Sequence, residues 1–276
     1  MVASNEQDEV EERSVIRDFG RAAGGALIFA LPILMTMEMW QLGFSVDRLR
    51  LAVLLAAALP LLVLLSRHIG FERTRGLADD MVDAGVALGV ASIVSLAVLL
   101  LFGAIGPGMS ADEILGKLAL QIVPASIGAL LARSQFHGER EEDERDETYW
   151  GELFLMAVGA LFLGFNVAPT EEMILISYQM TGLHAVGLVL LSLAVMHGFV
   201  FAVGFAGGSE IGPDTPWWSA FLRFTLPGYA LALAISLFVL WLFGRTDGVS
   251  AEFVLMAMVV LGFPSAAGAA AARLIL

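Results

Sequence analysis

Glu38 sits in the run Thr36-Met37-Glu38-Met39 inside one long apolar stretch, and Glu172 sits in Thr170-Glu171-Glu172-Met173 inside another, 134 residues later. An ionised carboxylate in hydrocarbon costs at least a few kcal/mol, so such a group is expected to face a water-filled path, bind a cation or exchange a proton. Facing each other, the two would share one ion or one proton, because adjacent like charges resist double ionisation. Thr36, Thr170 and Glu171 are candidate auxiliary ligands. Asn166, one helical turn before Thr170, is placed to join the same cavity. This all-oxygen set suits calcium, another divalent metal or a proton. Glu38 and Glu172 are therefore the candidate ion and metal ligands, and no cofactor beyond such a cation is expected.

Proline accompanies both carboxylates. Pro32 precedes Thr36 by four residues, and Pro169 directly precedes Thr170. Each removes a backbone donor and is expected to kink or interrupt its helix, freeing carbonyls such as those of Ile28 and Phe165. Interrupted segments at corresponding places in two halves of a chain point to a transport site. Three further charged or polar groups stand apart from this pattern. Asp83 and Arg223 are candidates for an ion-paired gate, set against the commoner role of interfacial anchors. His197, midway along its apolar segment, reads as a hydrogen-bonding packing residue rather than a proton relay.

The elements that must position these groups are membrane helices. With 58% hydrophobic and 16% charged residues among 276, the chain has more apolar surface than a soluble domain can bury. Apolar segments of the length needed to cross about 30 Å of hydrocarbon fall near 21–44, 50–69, 83–105, 114–135, 150–178, 184–206, 218–243 and 252–275. None alternates like a barrel strand, so the expected fold is an all-α polytopic bundle of eight helices. A lipid bilayer is its first partner.

A repeat organises the eight. Gly25-Ala26-Leu27 recurs as Gly159-Ala160-Leu161 and Gly70-Phe71 as Gly204-Phe205. The run from Ser95 to Gly103 is echoed by Ser236 to Gly244, and Pro124, Gly128, Ala132 and Arg133 by Pro264, Gly268, Ala272 and Arg273. The expected domains are an acidic tail over 1–19, a four-helix repeat over 20–136, an acidic linker over 137–149 and a second four-helix repeat over 150–276. Four crossings per half imply parallel repeats about an axis normal to the membrane. The small residues at four-residue spacing form a close-packing face, able to close the contact between halves or between subunits of a homo-oligomer.

Charge narrows the partners. The net charge of −13 is concentrated in the tail and linker, which excludes the basic patches that nucleic acid requires. The chain has no cysteine, so disulfides and thiolate chemistry are excluded. Arg13, Arg17, Arg21, Arg67, Arg73, Arg75, Arg133, Arg140 and Arg145 fall on one side, against Arg48, Arg50, Lys117 and Arg245 on the other. The arginine rule then places both termini in the cytoplasm.

The phrases around Met37-Glu38-Met39-Trp40, Asn166 to Met173 and Gly262-Phe263-Pro264 resemble a bacterial integral-membrane family of unknown function. The resemblance spans Asp18 to Leu276 and implies a multi-pass protein of the bacterial inner membrane. Ala168-Pro169-Thr170-Glu171-Glu172 with His197 is also similar to the glutamate and histidine motifs of CAAX-type intramembrane proteases, which implies activation of a water. Here Ile176 replaces the arginine of that motif and no histidine follows His197. The expected function is movement of a small cation past Glu38 and Glu172, without enzymatic activity. The alternative is a non-transporting scaffold or assembly factor, with both glutamates in exposed loops.

Overall fold

The computed structural model describes residues 2–69, 76–136, 149–202 and 217–275. The chain folds as two compact units, Met1–Glu141 and Glu142–Leu276. The junction falls in the acidic linker, whose residues 137–148 lie outside the described ones, as do Arg73, Arg75, Gly70-Phe71 and Gly204-Phe205. The described residues are helical, with no strand among them. Seven helices are long and apolar enough to cross a membrane, or eight if one sharply bent pair is a single span.

The first unit comprises α1 (Val2–Leu34), α2 (Met37–Ser45), α3 (Arg48–Ile69), α4 (Leu77–Leu101) and α5 (Ala111–Phe136). The acidic N-terminal segment is helical, because α1 begins at Val2. No glycine or proline precedes Gly20 to interrupt it. The expected continuous helix over 21–44 is instead two, α1 and α2, bent by 85°. α4 starts six residues before the expected boundary and takes Asp79 and Asp80 into its first turn, where carboxylates favour the positive helix end.

The second unit comprises α6 (Tyr149–Val167), α7 (Glu171–Gln179), α8 (Gly182–Ala202), α9 (Trp217–Ala220), a π-helical turn (Phe221–Thr225), α10 (Leu226–Leu242) and α11 (Ala251–Ile275). The expected helix over 150–178 is also split, into α6 and α7. Pro169 explains this, since a proline drives the residue before it out of helical conformation.

Glycine decides which helices approach most closely. A Cβ on Gly25 of α1 would collide with Gly128 O and Ala132 Cβ of α5, and one on Gly159 of α6 would collide with Gly268 O and Ala272 Cβ of α11. The small-residue faces of α5 and α11 are thus consumed inside their own units. This corrects the expectation that they join halves or subunits. Gly103 and Gly244 end α4 and α10 with φ of 70° and 72°, the left-handed geometry that favours glycine at a helix end. Ser110 and Glu113 form a reciprocal capping box that starts α5, with Ser110 N to Glu113 Oε2 at 3.1 Å and Glu113 N to Ser110 Oγ at 3.2 Å. Ser250 Oγ accepts from Phe253 N at 3.2 Å to start α11.

Hydrocarbon is the solvent that the surface calls for. Leu183, Val186, Leu190, Leu191 and Phe199 of α8 are exposed, far beyond the patch a water-soluble monomer tolerates. Four serines inside the helices bond to their own helix. Ser92, Ser126, Ser192 and Ser236 donate to the carbonyls of Leu88, Ile122, Leu188 and Ala232, and Ser236 also reaches Ser265 of α11 at 3.1 Å. Replacing Gly159 with valine should separate α6 from α11 and cost about 1–3 kcal/mol or more. Gly187→Val, where a Cβ meets nothing within 4 Å, is the control. Thermal unfolding in detergent checks the pair, and equal effects from both would remove the proposed helix contact.

Candidate functional site

In the first unit the helix break is built by Thr36. Pro32 carries no N–H, so Ile28 O loses its helical donor. Four residues on, the Thr36 hydroxyl donates to Pro32 O while Thr36 N turns back to Ile33 O at 3.2 Å. That exchange replaces the next α-type bond, and Thr36 adopts extended backbone, φ −94° and ψ 115°. Trp40 Nε1 donates to Leu34 O at 2.8 Å, and Gln121 Nε2 of α5 donates to Ile33 O at 3.5 Å. Met35 N donates to Leu31 O at 3.1 Å. The last carbonyls of α1 are therefore all supplied with donors, as hydrocarbon demands. Trp40 is a cap for the broken helix.

The second unit reaches a similar end by a different route. Pro169 deprives Phe165 O of its donor, and Thr170 N and Thr170 Oγ1 both turn to Val167 O, at 3.1 and 2.8 Å. Thr170 is extended, φ −70° and ψ 143°, and α7 begins at Glu171. Asn166 Nδ2 donates to Phe162 O at 2.7 Å. Arg245, from the loop after α10, donates through Nη2 to Pro169 O at 2.6 Å and pairs with Glu171 Oε1 at 3.2 Å. Glu171 is thereby engaged by an arginine at the break.

The glutamates stand in the first turns of nine-residue helices, Glu38 in α2 and Glu171 and Glu172 in α7. Neither threonine lends its side chain to the N–H groups there, so the positive ends of both helices face their carboxylates. Glu38 is half-buried, while Glu171 and Glu172 are exposed. Nine residues rise only about 13 Å, too short to cross hydrocarbon.

The packing register gives the depth of the first break. Gln121, in contact with Ile33, lies nine residues after Asp112, which is exposed and ion-paired to Arg48 Nη2 at 2.6 Å. It lies twelve residues before Arg133. At 1.5 Å per residue this is about 14 Å from one charged end and about 18 Å from the other. In the second unit Gly164 abuts Ser265, which is thirteen residues, about 20 Å, from Glu252. The break after Val167 thus begins well inside the span.

Other candidates are placed elsewhere. Asp83 accepts a hydrogen bond from Ser66 Oγ at 3.2 Å within its own unit, and Arg223 is exposed in the π-helical turn. His197 Nδ1 meets Thr225 Oγ1 at 3.0 Å and its ring packs edge-on against Phe221. Thr225 stands just before α10 and Arg245 just after it, so Glu171 and His197 are held at opposite ends of that helix. Among the described residues no group of three or more His, Cys, Asp or Glu side chains gathers for a metal ion.

The sequence reading missed three contributors. Gln121 is fully buried, Lys117 is buried with Nζ donating to Ala104 O at 2.6 Å, and Arg245 was counted only for orientation. An amide and an ammonium inside an apolar segment were the available signals for the first two. Arg245 had none, because a loop arginine two residues from the helix end looks like an anchor.

Broken apolar helices carrying polar groups at depth define a multi-pass integral membrane protein. Residues 18–276 match the family described as "Putative integral membrane protein (DUF2391)", and the chain belongs to that family. No curated protein and no solved structure matches the chain.

Replacing Trp40 with phenylalanine should orphan Leu34 O and lower stability by about 1–3 kcal/mol, read as an earlier thermal transition in detergent. In a double-mutant cycle, Arg245→Met and Glu171→Gln should couple by about 0.5–3 kcal/mol. Strict additivity would mean that the pair does not hold the break.

Proposed function

We propose that this protein moves a small cation across the bacterial inner membrane, with Glu38 and Glu172 as its central carboxylates and both termini in the cytoplasm. The observation that carries this reading is the helix break. Breaking a helix in hydrocarbon exposes backbone groups worth several kcal/mol each. Thr36, Trp40 and Gln121 in one unit, and Thr170 and Arg245 in the other, are committed to repairing that loss. In each unit the repaired break presents a carboxylate at the positive end of a short helix, an arrangement suited to receiving and releasing a cation.

We further read the two units as copies of one ancestral unit. Each, taken by itself, packs its first long helix on its last through a pair of glycines, and each follows that helix with a nine-residue one. The copies differ where Glu171 and Arg245 stand. Met37 and Ala104 occupy the corresponding positions of the first unit, at offsets of 134 and 141, so the arginine and its carboxylate are present or absent together. The arginine-held Glu171 is accordingly a positioning residue.

The test is cation flux into proteoliposomes holding the purified chain. Proton and calcium gradients are each applied to the intact protein, Glu38→Gln, Glu172→Gln and the double variant. Each single change should cut flux about tenfold or more, the equivalent of about 1.4 kcal/mol, and the double variant should abolish it. Unchanged flux in the double variant sinks the claim, and absence of flux from the intact protein returns the scaffold alternative.

A further inference from the structure

Gln121 of α5 is fully buried, and its side chain meets the α1–α2 break through Nε2 and Ile33 O at 3.5 Å. The orientation of the amide follows from that bond, because the reverse would set two acceptors face to face. Its carbonyl oxygen, Oε1, is buried and accepts no hydrogen bond within the unit. A buried acceptor left unmade costs about 1–3 kcal/mol. Leucine or methionine would fill this apolar position without that cost. The corresponding residue of the second unit, Leu261 at an offset of 140, is apolar. The amide oxygen is therefore a requirement of the first unit's break and not of the helix pair that supports it.

The chemistry of the occupant follows from the surrounding acceptors. Pro32 O, Ile33 O, Leu34 O and Thr36 O already accept from Thr36 Oγ1, Thr36 N and Gln121, Trp40 Nε1 and Met39 N respectively. A calcium ion takes six to eight oxygen ligands and magnesium requires near-ideal octahedral coordination, whereas each of these four carbonyls already holds at least one donor. A guest carrying its own O–H or N–H hydrogens meets acceptors singly through those hydrogens, without a closed shell of oxygen ligands. Lys117 lies one turn earlier on α5, with Nζ on Ala104 O and Met109 Sδ. Its ammonium opposes a divalent guest more strongly than a monovalent one.

We propose that Gln121 Oε1 is the acceptor for a small protic guest in the α1–α2 break, a water carrying the proton or an ammonium ion. This inference deepens the cation reading above and rests on it for the guest's movement. Protons and ammonium share the donor chemistry, so the experiment separates them.

Two measurements on the full chain test it. In the first, the purified protein carries glutamine labelled at the side-chain carbonyl, and the infrared spectrum of Gln121→Met is subtracted to isolate the Gln121 band. The band should lie at the hydrogen-bonded position, shift in heavy water, and move again with added ammonium if ammonium is the occupant. A free-amide band that ignores heavy water overturns the proposal, whatever the transport result. In the second, proteoliposomes are challenged with proton, ammonium, sodium and calcium gradients. Gln121→Met should lower proton or ammonium flux about tenfold or more, the loss of one buried hydrogen bond, while Gln121→Glu, which keeps an acceptor oxygen, retains it. Gln121→Met conducting like the intact protein while Glu38→Gln does not would refute this site and leave the transport reading standing. Sodium or calcium flux that Gln121→Met abolishes would refute the protic guest.

Discussion

Everything in this structure follows from one constraint, that a backbone N–H or C=O in hydrocarbon must find its partner inside the protein. A continuous helix meets it without side chains, and most of the chain takes that solution. At the ends of α1 and α6 the chain declines it. The threonine hydroxyls, the Trp40 indole, the Gln121 amide and the Arg245 guanidinium then appear where backbone partners were lost. Their placement is explained by the breaks, and the breaks stay closed to lipid because of them.

The glycine seams make this repair exact in position. α1 meets α5 at Gly25, Gly128 and Ala132, and α6 meets α11 at Gly159, Gly268 and Ala272. A seam at backbone contact fixes the register of two helices to a fraction of a turn. In the first unit that register carries Gln121 opposite Ile33, and in the second it carries Ser265 opposite Gly164. The same serine reaches Ser236, tying α10 to the pair. Packing at one level thus sets hydrogen bonding at another, up to about two turns away.

Polar groups at depth divide by what they do for the backbone. Trp40 and Arg245 donate to carbonyls that have lost their helical partners, and they are accounted for by structure alone. Glu38 and Glu172 donate nothing when ionised and repair nothing, although the positive ends of α2 and α7 favour them. Glu171 belongs with Arg245, and the difference between adjacent glutamates at the same helix start comes entirely from a loop some seventy-four residues away in sequence. Gln121 falls in both classes, since its nitrogen serves a carbonyl and its oxygen serves no part of the backbone.

Composition and segment length by themselves determined that this is an all-helical membrane protein, because the bilayer imposes a length and a satisfied backbone on any segment that crosses it. The prolines and threonines marked where helices would fail, and Ser110, Ser250, Gly103 and Gly244 marked ends through chemistry that acts within a few residues. Only the tertiary structure decided what those local signals meant. It made breaks of the two sites where a kink or an interruption was expected, one bent by 85°, and it gave Trp40 a capping role. It assigned Glu171 to Arg245, turned the small-residue faces inward, and held Glu171 and His197 at opposite ends of α10. Each of these depends on partners distant in sequence, whose register is set by close packing rather than by the composition of any one segment.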